Sequence, residues 1–188
     1  MSKLDIVGLC GSLRAGSFNR MALEFAGTVM PEGMALDIAE IRPVPPFDGD
    51  VFARGFPAEV SVLRERIRRA DAVLIATPEY NFSVPGVLKN ALDWISRGDD
   101  QPFAMKPVAI MSASPGPLGG ARVQYDLRRV LLFMNAMVLA KPEIFIGASN
   151  TKFDANRQCT DDSTRKLVSA QMHALERWVQ GVRRMQPL

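Results

Sequence analysis

Short apolar runs alternate with helix-period segments along this whole chain, and that alternation restricts the fold more than any single residue does. The run Leu4–Cys10 reads as a strand, residues 17–30 as a helix with Ser17 at its N-cap, and residues 34–41 as a second strand. Arg42 to Pro57 holds Pro43, Pro45, Pro46 and Pro57 and reads as a loop, followed by a helix over 58–70. The continuous apolar run 72–77 is the pattern of a strand covered on both faces. A helix over about 85–97 carries Val87, Leu88, Ala91, Leu92 and Ile95 on one stripe. Then come a strand at 107–112, a helix over about 119–137, a strand near 143–147 and a last helix over about 162–184. Five strand–helix units in strict order predict an α/β fold, a doubly wound five-stranded parallel sheet in a three-layer α/β/α arrangement. The chain has 188 residues, 47% of them apolar, which suits one such domain over 1–188.

Composition removes several classes of function. No apolar run approaches the roughly 18–20 residues of a membrane span. Met1-Ser2-Lys3-Leu4-Asp5 puts an acid where an export signal carries its apolar centre, so no export signal is expected. Cys10 and Cys159 form no CxxC pair, which points to a reducing, cytoplasmic setting. His173 is the only histidine, which excludes a multi-histidine metal site. The net charge is only +3, and the basic run Arg64, Arg66, Arg68, Arg69 is interleaved with Glu65 and Ile67. It reads as a solvated helix face, so no nucleic-acid partner is expected.

In a doubly wound sheet, ligands bind at the carboxyl ends of the strands. After the first strand comes Gly11-Ser12-Leu13-Arg14-Ala15-Gly16-Ser17-Phe18-Asn19, opening a helix. Its glycines present backbone amides, the helix N-terminus favours an anion, and Arg14 adds one charge. This suits a phosphate. The glycine spacing does not fit G-x-G-x-x-G, which disfavours a dinucleotide pyrophosphate. Ser17 stands where a P-loop lysine belongs, which disfavours nucleotide triphosphate hydrolysis. Cys10 lies where tyrosine-phosphatase-type enzymes place their nucleophile, but Gly16 occupies the position of the arginine they need, so Cys10 reads as a small buried residue.

The loop after the third strand, Pro78-Glu79-Tyr80-Asn81-Phe82, offers flat aromatic surface between stiffening prolines. Glu79 has no partner carboxylate or histidine nearby and is expected to position backbone. The loop after the fourth strand is small and glycine-rich; Ser114 is its expected ligand contact, and Gly116 leaves space. In a 2-1-3-4-5 strand order these three loops converge, and a molecule with a phosphate tail and a planar head, such as FMN, fits them.

At GSLRAGSFNR (11–20), PEYNFSVPGVLKNALDW (78–94) and GGARVQYDLR (119–128), the chain resembles the NAD(P)H-dependent FMN reductases, which include quinone and chromate reductases and related azoreductases. The resemblance implies a flavodoxin-like fold. It assigns FMN phosphate to Ser12, Leu13, Arg14, Ala15, Gly16, Ser17, Phe18 and Asn19, and the flavin ring to Pro78, Glu79, Tyr80, Asn81 and Phe82, with Ser114 and Gly116 at the third loop. It also implies that NADH or NADPH reduces the flavin, that an acceptor then takes the electrons, and that the chemistry lies on the flavin, so no side chain is named as catalytic. A flavodoxin-type electron carrier is the alternative, though such carriers are acidic and this chain has a pI near 9.1. Dimers or tetramers are implied too. Residues 130–140 read as a helix apolar almost all round, with Arg122, Tyr125 and Glu143 as candidate interface residues.

Overall fold

The computed structural model describes residues 3–185; Met1 and Ser2, part of the stretch read for an export signal, lie outside them. Strands β1 (Leu4–Cys10), β2 (Met34–Ala39), β3 (Ala72–Ala76), β4 (Pro107–Ala113), β5 (Met137–Val138) and β6 (Ile144–Ile146) form one parallel sheet. Its order is β2-β1-β3-β4-β5, with β6 also on β4. Helices α1 (Phe18–Thr28) and α6 (Asp162–Met185) cover one face, and α3 (Ala58–Arg69), α4 (Gly86–Ile95) and α5 (Ala121–Phe133) the other. Side chains of β1 alternate between the two cores, Ile6 and Cys10 toward α1 and α6, Val7 and Leu9 toward α3 and α4. β3 is buried along its whole length, as its unbroken apolar run requires.

Three expectations need correction. The predicted loop at 42–57 contains one helical turn, α2 (Gly49–Phe52), which Asp48 caps by accepting from the Asp50 amide at 2.8 Å. The fourth long helix stops at Phe133, not near 137, so residues 130–140 are not one apolar helix. Asn135 takes a left-handed φ of 54°, and its amide and that of Ala136 close on Leu132 and Leu131. Met137 and Val138 then pair with Pro107 and Val108. The fifth strand is therefore two short pieces in one column, giving a six-stranded sheet: β5 lies against the start of β4 and β6 against its end. Among the described residues, no helix is long and apolar enough to cross a membrane.

Candidate functional site

The carboxyl ends of β1, β3 and β4 carry the three loops singled out in the sequence, and side chains tie the roots of those loops together. The Gly11 amide donates to the Ala76 carbonyl at 2.8 Å, and Gly11 lies so close to the Thr77 side chain that a Cβ there has no room. Asn19, 3% exposed, binds the last residue of β4 reciprocally: its Nδ2 donates to the Ala113 carbonyl at 2.9 Å and its Oδ1 accepts from the Ala113 amide at 2.8 Å. The Asn19 carboxamide is thus used to hold two loops together. Phe18 lies beneath the loop, its ring 6.1 Å from that of Phe153.

The first loop opens α1 and leaves part of its backbone unpaired. Ser17 is the N-cap of α1, its hydroxyl accepting from the Arg20 amide at 3.3 Å. The Arg14 amide leans on the Ser12 hydroxyl at 3.4 Å, and the Arg14 carbonyl accepts from the Ser17 amide at 3.1 Å. Among the described residues, no acceptor meets the amides of Leu13, Ala15 or Gly16. Beside Gly16 there is open space, walled only by the Arg14 guanidinium 3.8 Å from where a Cβ would lie. Ser12, Leu13, Arg14 and Ala15 line a cleft of about 250 Å³ that also receives Arg20, Arg42 and Arg157, with Glu24 and Glu40 as its only acids. Four guanidinium groups against two carboxylates give the cleft a surplus of positive charge.

Cys10 borders the same cleft, its Sγ 3.9 Å from the Ser17 hydroxyl. Burial pushes the Cys10 thiol up, against weaker pulls from the Ser12 backbone and the Ser17 hydroxyl. A protonated, buried thiol is a poor nucleophile, in line with a packing role.

The second loop is a tight hairpin. Tyr80 and Ser83 exchange backbone hydrogen bonds at 3.1 and 3.0 Å around Asn81 and Phe82, both left-handed, with φ of 50° and 66°. Pro78 is buried, whereas Tyr80, Asn81 and Phe82 face outward as an open shelf. Glu79 reaches to α5: one carboxylate oxygen accepts from Arg122 Nε at 2.7 Å and the other from the Val123 amide at 3.2 Å. It thereby caps the N-terminus of α5, a backbone-positioning role. The Arg122 guanidinium also lies 3.9 Å from the centre of the Phe82 ring. Arg122 therefore has partners within this chain. Glu143 likewise pairs internally with Lys141 at 2.5 Å, which with a weaker contribution from the Tyr125 hydroxyl keeps its carboxyl below the ordinary range.

The third loop is pinned from behind by the segment after β6. The Ser114 amide donates to Ile146, the Ser149 amide to Ser114, and the Ala148 amide to Gly116, at 3.0, 3.1 and 3.2 Å. The Ser114 hydroxyl leans on the Gly116 carbonyl at 3.3 Å. Gly119, with φ of 58°, approaches the 145–147 backbone so closely that a Cβ would lie 2.7 Å from it.

Sequence reasoning missed Arg42 and Arg157, which donate to the Leu13 and Ala15 carbonyls of the first loop. It also missed Thr77, against which Gly11 packs. These are contacts between distant segments, and no spacing pattern marks them.

Comparison with known proteins agrees with this geometry. The model of the NADPH-dependent FMN reductase family matches residues 4–151. An NAD(P)H-dependent FMN reductase of Pseudomonas aeruginosa is 48% identical over 180 residues, covering 96% of this chain and 97% of that protein. A quinone reductase of Escherichia coli K12 is 46% identical over 184 residues, covering 96% and 98%. Among solved structures, FerB of Paracoccus denitrificans, a flavoenzyme NAD(P)H:(acceptor) oxidoreductase, superposes with a TM-score of 0.87 at 31% identity over 95% of this chain and 98% of that one. By its loops, its strand order and these relatives, the chain belongs to the NADPH-dependent FMN reductase family.

Proposed function

We propose that this protein is an NAD(P)H-dependent oxidoreductase that holds FMN across its three loops and reduces quinones. The observation that carries the reading is the first loop: at the start of α1 the Gly16 amide meets no acceptor among the described residues, and the Arg14 guanidinium walls the open space beside Gly16. A phosphate monoester fits that space, and the Arg14 guanidinium beside it supplies a matching positive charge. The Ser17 hydroxyl adds a donor, since its oxygen already serves the cap. Asn19 acts from behind, by holding β4 to α1.

The Tyr80–Phe82 hairpin gives the planar ring a flat resting face, with Ser114 and Gly116 at its edge. Bound FMN supplies two-electron chemistry between NADH or NADPH and the acceptor. The chain's own part is to orient the ring and leave one face open. That openness admits nucleotide and acceptor in turn and discriminates weakly among acceptors, so chromate, azo compounds, ferric chelates and free flavin belong in the same panel as quinones. Leu132 and Phe133, 76% and 78% exposed at the end of α5, make that end the proposed contact in a homo-oligomer, with Tyr125 on the same helix. A cytoplasmic setting suits the two free thiols.

The test is steady-state oxidation of NADH and NADPH by FMN-loaded protein with and without a benzoquinone. Turnover that depends on the quinone supports an enzyme. A flavin that is reduced once and does not turn over would make the protein an electron carrier.

A further inference from the structure

We infer that Arg157, outside the segment matched by the family model, is a positioning residue of the phosphate cradle. This rests on the reading that the first loop holds the FMN phosphate. The chain from 153 to 159 folds back as a hairpin, bridged at Phe153 and Cys159, with Phe153 packed on Phe18. Its turn is fixed by the Asp154 side chain and backbone, and Arg157 sits there with a left-handed φ of 66°. From that turn the guanidinium reaches both α1 and the loop before it. Its Nε and Nη2 grip the Glu24 carboxylate at 2.9 to 3.1 Å, and its Nη1 donates to the Ala15 carbonyl at 2.9 Å.

The second bond sets the cradle. The Ala15–Gly16 peptide unit is planar and trans, so its carbonyl and its N–H point in opposite directions. Fixing the Ala15 oxygen on Arg157 fixes the Gly16 N–H on the other side, where no acceptor of this chain meets it. Arg42 does the same at the Leu13 carbonyl, whose peptide N–H belongs to Arg14 and is taken by Ser12. The two arginines thus each fix one carbonyl of the loop. Only the Arg157 side leaves a free donor, so Arg157 decides whether the Gly16 amide is presented. Glu24 makes this rigid: it anchors Arg157 and is itself held by Arg20 at 3.2 Å, while Arg20 also binds Glu40 at 2.7 Å.

The experiment compares equilibrium binding of FMN and riboflavin to the apoprotein by flavin fluorescence. Wild-type protein should bind FMN much more tightly than riboflavin; equal affinities would sink the phosphate-site reading itself. Arg157→Ala should weaken FMN about tenfold, the scale of one hydrogen bond to a charged group, and leave riboflavin within twofold. Arg157→Lys, which keeps the charge but cannot hold Glu24 and Ala15 together, should fall between. If wild type prefers FMN and Arg157→Ala binds it unchanged, the inference is wrong and the reading stands. An equal loss for both ligands would also overturn it, since that reports general loosening. Should Arg157→Ala not fold, Glu24→Gln carries the test: it removes the charged anchor and should weaken FMN several-fold, and unchanged FMN binding there refutes the inference.

Discussion

Replacing Asn19 by alanine separates the two loops it joins, and the size of the effect follows from what is left behind. The Ala113 N–H and C=O are both buried, and Asn19 is the partner of each. A buried backbone group stripped of its partner costs about 1–3 kcal/mol, so two cost roughly 2–6 kcal/mol. For a domain of this size each kcal/mol lowers the melting temperature by about 2–4 °C. Taking about 3 kcal/mol, Asn19→Ala should melt roughly 6–12 °C below wild type. Both proteins should be free of flavin, so that ligand does not add to the difference. Asn19→Asp sharpens the argument. A carboxylate keeps an acceptor for the Ala113 N–H but faces the Ala113 carbonyl with negative charge, whereas the protonated acid restores the donor. Burial raises the folded pKa of such an aspartate above its unfolded value near 3.9, so the protonated form favours folding. The deficit of Asn19→Asp should therefore be smallest at low pH and grow as pH rises through the raised pKa. Melting of Asn19→Ala within 2 °C of wild type, or a deficit in Asn19→Asp that ignores pH, would show that the clamp is not what joins these loops.

Gly147→Ala should lower the melting temperature and release the third loop, because the new Cβ would press on the Pro117 carbonyl oxygen, which is backbone and cannot swing away; proteolysis between 114 and 120 reads the release. Asp161 caps α6 by accepting from the Ser163 hydroxyl and the Thr164 amide, which holds its carboxyl far below the ordinary range. Its contribution is complete above the unfolded pKa near 3.9 and fades as pH falls toward the lower folded value, so Asp161→Asn should flatten the acid limb of the stability curve in urea titrations below about pH 4. Arg14→Ala should weaken FMN by about 1–3 kcal/mol in a fluorescence titration, and unchanged affinity would mean that the amides alone grip the phosphate.

Much of the fold was legible because strand and helix periods are local. Leu4–Cys10 and the buried run at 72–76 sit where their apolar patterns put them, and Ser17 caps the helix it was expected to cap. The split fifth strand was not legible: Val130 to Leu139 is apolar enough to suit a helix end or an edge strand, and only Asn135, able to take a left-handed turn, marks the break. Within the site, glycines, the cap and the aromatic loop announced a ligand. What the polar side chains do was hidden. Asn19 spends its carboxamide on Ala113, Glu79 caps α5, and Arg157 crosses more than half the chain to reach Ala15. Such partners meet only once the sheet has brought them together.

Phe82 has a consequence for how tightly the fold and its ligand are linked. A bulky side chain at a φ of 66° is a conformational burden of order 1–3 kcal/mol, which glycine or asparagine in its place would largely avoid. Its ring adds nothing to either core; it is 66% exposed, with Arg122 stacked against it. The hairpin thus carries a backbone cost that no core packing of this ring offsets. On the proposal that the flavin rests on that ring, Phe82→Gly should melt higher than wild type and bind FMN more weakly.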